Sequence, residues 1–341
     1  MQIVQSRRHF LAGLSAAGAA GVVGRGGLLA DDDPPPEVTT LRFRRDSPGP
    51  GFICYAPEYL AEELLRAEGF TDIQYVFTPG GLPGAQAIAR GDLDFALFIV
   101  VSAALRLDAG LPITLLAGVH TGCFELFVHG PIQTITDLKG KRVGIWTPGA
   151  ADHLYLSIMA AYVGLDPERD INWVTTENRA STMELFVQGK VDAFLASIPE
   201  PQELRARKVG HVILNTTMDK PWSEYFCCLL GGNRDFVQKY PIATRRVLRA
   251  ILKATDLCGA EPERTARRLV EGGYTLNYEY TREALTEIPY ASWREFDPED
   301  SLRFFALRLH EVGFIENSPN EILAEGTDWR FLNELKRELK A

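Results

Sequence analysis

The stretch DLKGKRVGIWTPGA, Asp137 to Ala150, carries a short apolar strand from Arg142 to Trp146 into a turn of small residues, Thr147, Pro148 and Gly149, before a helix. Backbone N–H groups at a helix start have no partner inside the helix, and they suit a carboxylate, a sulfonate or a ring oxygen. Phosphate cradling is excluded, since neither G-x-G-x-x-G nor G-x-x-x-x-G-K-[ST] occurs here. Elsewhere, no Ser/His/Asp order, carboxylate dyad or H-x-x-x-H spacing points to hydrolysis. The chemistry on offer is recognition of a small polar edge.

Ligands of open α/β sheets collect at the carboxyl ends of the strands, so binding residues can be nominated by position. They are Phe52, Cys54 and Tyr55, then Phe98 and Ile99, then His120 and Thr121. Further along come Trp146, Thr147, Gly149 and Ala150 at the helix start, Ser197 and Glu200 after a later strand, and Tyr225. With Phe124 and Trp222 beside it, this set is rich in aromatic rings, whose faces stack on a flat ring compound. No Arg or Lys falls at a nominated strand end, which disfavours nitrate, bicarbonate or a sulfonate held by charge. Asp152 and Glu200 could meet an amino group. The ligand expected is a neutral or cationic ring compound such as a pyrimidine. His120, Cys54 and Cys123 lack any metal-ligand spacing, so no metal or cofactor is expected.

The elements that must position these residues alternate between strand and helix. Strands are expected at Leu41 to Arg45, Ile73 to Phe77, Phe95 to Val101 and Ile113 to Val119. Phe52 to Tyr55 is a further short apolar piece, and Pro57 opens a helix that runs to Gly69. Ser102 caps the next helix. A second block follows, with strands at Arg142 to Trp146, Ile171 to Thr175, after Asp192, at His211 to Leu214 and at Tyr225 to Leu230. The segments AIARGDLDFAL (Ala87 to Leu97) and LFVQGKVDAFLA (Leu185 to Ala196) share one pattern of helix end, Gly, Asp and buried strand. Gly91 and Gly189 would be left-handed caps, and Asp94 and Asp192 would open the strands. From Asn233 onward helices dominate, which implies packing back onto an existing sheet. This alternation predicts mostly parallel sheets with covered faces.

At 341 residues and 46% hydrophobic content the chain can bury the cores of two lobes. Its net charge of −9 argues against nucleic acid or an anionic membrane as partner. Arg7 and Arg8 precede a weakly apolar Ala/Gly run, so residues 1–30 read as a twin-arginine export signal, with 31–39 a solvated linker. No later stretch is long and apolar enough to span a membrane. Five cysteines without CxxC pairs exclude a disulfide framework or a zinc ribbon.

These residues carry a family resemblance. CYAPEYLAEE from Cys54, GDLDFAL from Gly91, DLKGKRVGI from Asp137, GKVDAFLAS from Gly189, GGNRDFVQKYPIATRRVLRAILKATD from Gly231 and the tail from Asn320 to Trp329 make up the pattern. The chain resembles the periplasmic substrate-binding proteins of ABC importers in the nitrate, sulfonate, taurine and thiamine-precursor group, NMT1-like or SsuA/TauA-like, over about residues 40 to 340. That resemblance implies an α/β, two-lobed periplasmic binding protein of type II, each lobe a mostly parallel sheet flanked by helices. Two crossover strands would join the lobes, near Cys123 to Val128 and Tyr225 to Leu230. Lobe 1 would hold residues 40–124 and 231–341, and lobe 2 residues 125–230. It further implies a periplasmic monomer that closes on its ligand and presents the closed form to a permease of the inner membrane, with no catalysis. Cys123 and either Cys227 or Cys228 would lie on neighbouring crossovers, where a hinge disulfide can form.

Three other functions remain in view. One is the same capture of a sulfonate, taurine or nitrate; another is a ligand sensor docking on a membrane receptor. The third is an enzyme, since one branch of the family makes the thiamine pyrimidine and carries a CCCFC cluster where this chain has Phe226-Cys227-Cys228-Leu229-Leu230.

Overall fold

The computed structural model describes residues 34–45, 51–78 and 82–339. The expected export signal and the first three residues of the linker lie outside them.

Asp94 and Asp192 show how the chain builds the same unit twice. Each follows a glycine in the left-handed region, Gly91 at φ +74° and Gly189 at +68°, as the repeated pattern requires. Each carboxylate then accepts the backbone N–H of an arginine on the neighbouring strand, Arg42 at 2.7 Å and Arg142 at 2.9 Å. The same arginine returns a side-chain bond, at 2.6 Å in the first unit and 2.7 Å in the second. This clamp sets the register between the arginine's strand and the strand that the aspartate precedes.

In the first half the strands are β1 (Thr40–Arg45), β2 (Asp72–Phe77), β3 (Phe95–Ile99) and β4 (Ile113–Thr121). Helices α1 (Ala56–Leu60), α2 (Glu62–Ala67), α3 (Leu82–Ala89) and α4 (Val100–Asp108) connect them. The second half runs β5 (Phe124–Val128), β6 (Arg142–Ile145), α5 (Ala151–Tyr162), β7 (Asn172–Thr175), α6 (Arg179–Val187), β8 (Ala193–Ser197), α7 (Glu200–Arg207) and β9 (His211–Asn215). The chain then returns to the first half through β10 (Phe226–Asn233).

Two five-stranded sheets result, ordered β2-β1-β3-β10-β4 and β7-β6-β8-β5-β9, which match position for position. β1 lies parallel to β2 and β3, and β6 to β7 and β8. β10 and β5 run antiparallel to both of their neighbours. The mostly parallel sheets expected are found, four strands of each running one way, and a single reversed strand, delivered by the chain as it crosses from the other half, makes each sheet mixed. The division expected at 124/125 and 230/231 meets these sheets unevenly, because residues 226–230 already pair within the first sheet.

After β10, helices α8 (Arg234–Lys239), α9 (Pro241–Ala260), α10 (Pro262–Glu271), α11 (Tyr278–Glu287), α12 (Pro298–Glu311), α13 (Pro319–Gly326) and α14 (Arg330–Glu338) pack back on the first half. Arg249 of α9 is nearly inaccessible and donates to Glu68 at 2.7 and 2.9 Å, so a buried charge pair seats this helix. Four local expectations fail. Phe52 to Tyr55 includes a 3-10 turn, Ile53–Tyr55, and the helix after Pro57 breaks at Ala61. The strand expected to reach Val101 ends at Ile99, which caps α4, so Ser102 lies inside that helix. There, packing against α12 and α5 overrides the strand preference of a β-branched run. α13 was not anticipated, although Ser318 and Glu321 form a capping box at its start.

The crossings are tight. Only Gly122 and Cys123 separate β4 from β5, while residues 216–225 make the return. Thr216 binds the two together, its hydroxyl accepting the N–H of Cys123 at 3.2 Å and of Phe124 at 3.0 Å. Cys123 is joined to Cys227 in a disulfide with its Cα atoms 6.8 Å apart, one of the two pairings the sequence left open. Gly122 has φ +60°, and a Cβ there would lie 2.5 Å from the Thr217 Cα. Gly122→Ala should therefore destabilise the protein by about 2 kcal/mol or more, from the left-handed backbone and the overpacking combined. Urea unfolding of the oxidised protein measures it, and an unchanged midpoint would refute the account.

Candidate functional site

The carboxyl ends of β1 and β8 meet through one side chain. Arg179 is the first residue of α6, whose start is fixed by Asn178 accepting the N–H of Ser181. Its guanidinium lies 4.5 Å over the ring of Phe52, which follows β1 in the first half. It also donates to Glu200 Oε2 at 2.8 Å and to the Ser197 hydroxyl, both in the second half. The Ser197 N–H donates to that same Glu200 oxygen at 2.8 Å. Phe52 in turn touches Tyr55, with ring centres 5.5 Å apart, and the Arg44 guanidinium stands 5.4 Å from the Tyr55 ring. Burial pushes the Glu200 carboxyl above its ordinary 4.5, the Arg179 charge pulls it back, and nearby Asp152 pushes it further up.

The structure thus brings Phe52, Tyr55, Ser197 and Glu200 together around an arginine absent from the nominated set. It corrects the statement that no cation stands at a strand end. Arg44 is the last residue but one of β1, and Arg179 enters from the β7–α6 connection, the kind of strand-to-helix turn that faces the same way as the strand ends. That turn signal was present in the sequence at Asn178-Arg179.

The β6–α5 turn is more self-satisfied than its small residues suggest. The Trp146 N–H donates to Asp152 at 2.7 Å, the Gly149 N–H to His153 Nδ1 at 3.1 Å, and the Ala150 N–H to the Thr147 carbonyl at 3.0 Å. Thr147 is exposed, and Gly149 and Ala150 are half-exposed, so the turn faces solvent, and α5 begins at Ala151 without a side-chain cap. The half-buried indole of Trp146 donates to the Glu177 carbonyl at 3.3 Å.

Other nominated residues lie behind the surface. His120 is fully buried, with Nε2 3.1 Å from the Cys54 carbonyl and Nδ1 3.2 Å from the Thr121 carbonyl. Thr121 and Cys54 are buried with it, and no contact joins these three to the Arg179 cluster among those described. Phe98 and Ile99 sit at the very end of β3 and keep slight exposure. Tyr225 belongs to a different aromatic group, stacked on Phe304 with ring centres 4.0 Å apart.

The Cys54, Cys123 and Cys228 sulfurs lie within 4.8 Å of one another, a donor set suited to a soft cation. Cys123 is already committed to Cys227, which leaves two thiols, and burial raises that of Cys228. Two surface concavities lie apart from the Arg179 cluster, one lined by Leu107, Arg234 and Glu321, the other at the amino ends of β1 and β3 beside Glu37 and Tyr240.

The NMT1/THI5-like family model matches residues 56–265. The 4-amino-5-hydroxymethyl-2-methylpyrimidine phosphate synthase THI13 of Saccharomyces cerevisiae is 25% identical over 243 residues, 67% of this chain and 68% of that protein. The alkanesulfonate-binding protein SsuA from Xanthomonas axonopodis pv. citri, solved with MOPS, superimposes with a TM-score of 0.70 at 17% identity, covering 86% of this chain and 99% of that one. The periplasmic nitrate-binding protein NrtA from Synechocystis PCC 6803 gives 0.74 at 15% identity, covering 89% and 90%. The shared fold is the two-lobed one of periplasmic binding proteins.

Burial holds His120 and His153 below the ordinary 6.5. Such a histidine binds fewer protons folded than unfolded, so its contribution is present above 6.5 and is lost as the pH falls. Glu200 has the opposite sign at lower pH. The melting temperature should therefore drop between about pH 7.5 and about pH 5.5, and His120→Gln should flatten the slope. Calorimetry across that range decides; equal slopes in both proteins would contradict the assignment.

Proposed function

The chain belongs to the NMT1/THI5-like family, and on that footing we propose that it is an extracytoplasmic solute-binding protein, the capture component of an ABC importer. It binds one small organic molecule between its halves and carries it, as a monomer exported through the twin-arginine route, to a permease of the inner membrane. The observation that supports this most directly is Arg179, in contact with Phe52 on one half and with Ser197 and Glu200 on the other. A ligand there touches both halves only when they are together, so binding favours closure through contacts the open form lacks. The moving bodies would be residues 40–121 with 226–341 against residues 124–215, turning about the two crossings.

The ligand we favour is a flat heterocycle of the pyrimidine kind. Phe52, Tyr55 and Trp146 supply ring faces. Arg179 and Glu200 neutralise each other and still offer N–H donors and a carboxylate oxygen to a polar ring edge. Capture without catalysis fits the placement of His120, whose nitrogens face backbone carbonyls and not the cluster. A second reading, an anionic ligand such as a sulfonate or nitrate, is favoured by the Arg44 and Arg179 guanidiniums over aromatic rings.

A thermal-shift screen of pyrimidines, aromatic acids, sulfonates, nitrate and amines separates these readings. A ligand at a hundred times its Kd should stabilise the protein by about 2.7 kcal/mol. Response to sulfonates or nitrate alone would overturn the heterocycle, and release of a pyrimidine product from smaller precursors would overturn pure binding. With a heterocycle in hand, Phe52→Ala should weaken it about three- to tenfold by removing the stacking face, as read by calorimetric titration.

A further inference from the structure

The two halves touch along two edges of different character. On one, α5 of the second half lies against α4 and α12 of the first. Tyr155, nearly inaccessible, meets Phe305 edge-on at 5.3 Å, and His153 meets Phe314 at the same distance. Contact of this kind is apolar and dry, and separating it would expose buried rings to water.

The other edge joins α7 of the second half to α11 of the first almost wholly through polar side chains. Arg205 of α7 donates to Glu283 at 2.8 Å and to both carboxylate oxygens of Glu287 at 2.8 Å. It also pairs with Glu125 on β5, within its own half. Gln202 donates to Glu287 at 2.8 Å. Arg205, Glu283 and Glu287 are 33%, 43% and 41% exposed, so water can replace their contacts at little cost. Among the described residues the Gln202 Oε1 is buried without a hydrogen-bond partner, and parting the helices would let water reach it. Arg179 on Phe52 is likewise a polar contact across the halves.

We infer that the α7–α11 ion cluster is an electrostatic latch at the mouth of the cleft. The α5 edge lies beside the two crossings, with the Tyr155 ring centre 5.0 Å from that of Phe124, and stays packed as the halves turn there, while α7 and α11 part to admit the ligand. This rests on the hinged capture proposed above. The latch holds the halves together through one arginine shared by two glutamates, and it yields because its groups are already partly hydrated and one amide oxygen gains a partner on opening. The population of the closed form, and with it the apparent affinity for any ligand, is then set in part by ionic strength.

The test uses small-angle scattering of the oxidised full chain without ligand. Glu283→Gln/Glu287→Gln removes both carboxylates that α11 sets against Arg205 while leaving the Arg205 pair with Glu125 intact. At low salt this variant should show a larger radius of gyration than the wild type. Raising salt should expand the wild type toward the variant and leave the variant unchanged. Glu283→Lys/Glu287→Lys, which sets like charges against Arg205, should expand it further. Identical radii for all three proteins at every salt, with native circular dichroism, would overturn the latch. A ligand screen that finds nothing would count against solute capture without moving these radii, so the two failures are distinguishable.

Discussion

The fold depends on the chain crossing between its halves twice within a few ångströms. β5 and β10 each enter a sheet interior straight from a crossing, so the second sheet forms only after the first crossing and the first sheet is complete only after the return. Thr216 and the Cys123–Cys227 bond pin those crossings to each other. Gly122 is required where they pass, since the backbone there is left-handed and has no room for a Cβ. A short, cross-linked joint of this kind favours rotation over sliding, as the proposed hinge closure requires.

Around that joint the two units repeat one construction. The Arg42–Asp94 and Arg142–Asp192 clamps have the same geometry but different surroundings: the Asp94 side chain is 3% exposed and Asp192 29%. The first unit gained its cover from the helices after β10, which pack on its face through charge pairs such as Arg249 with Glu68. The second unit has no such coat, and its strands β7 and β9 keep partly exposed residues. The asymmetry leaves the first half more heavily covered than the second.

At the strand ends, charge is balanced locally against an acidic background. The net charge of −9 says nothing about the cleft, where Arg44 and Arg179 stand beside Glu200 and Asp152. A paired arginine over an aromatic ring presents a planar, partly desolvated surface with donors at its edge. The same residue type serves the outer rim, where Arg205 joins helices of the two halves. The proposed ring ligand rests on the aromatic faces beside Arg179, and the proposed latch on the ion pairs between α7 and α11.

Local order was legible in the sequence because it rests on short-range rules. The Gly-x-x-Asp repeats, the strand-turn-helix at Trp146 to Ala150 and the helical periodicity of α9 each follow from the conformational limits of a few neighbouring residues. The pairing of Cys123 with Cys227 was narrowed to two partners but not chosen, since the choice depends on which face of β10 meets the first crossing. Tertiary structure alone decided the reversed strands, the burial of His120 and the place of Arg179. All three depend on residues distant in the chain, as when an arginine 127 positions after Phe52 settles on its ring. Sequence periodicity reports which side of an element is apolar; only the assembled chain determines what that side touches.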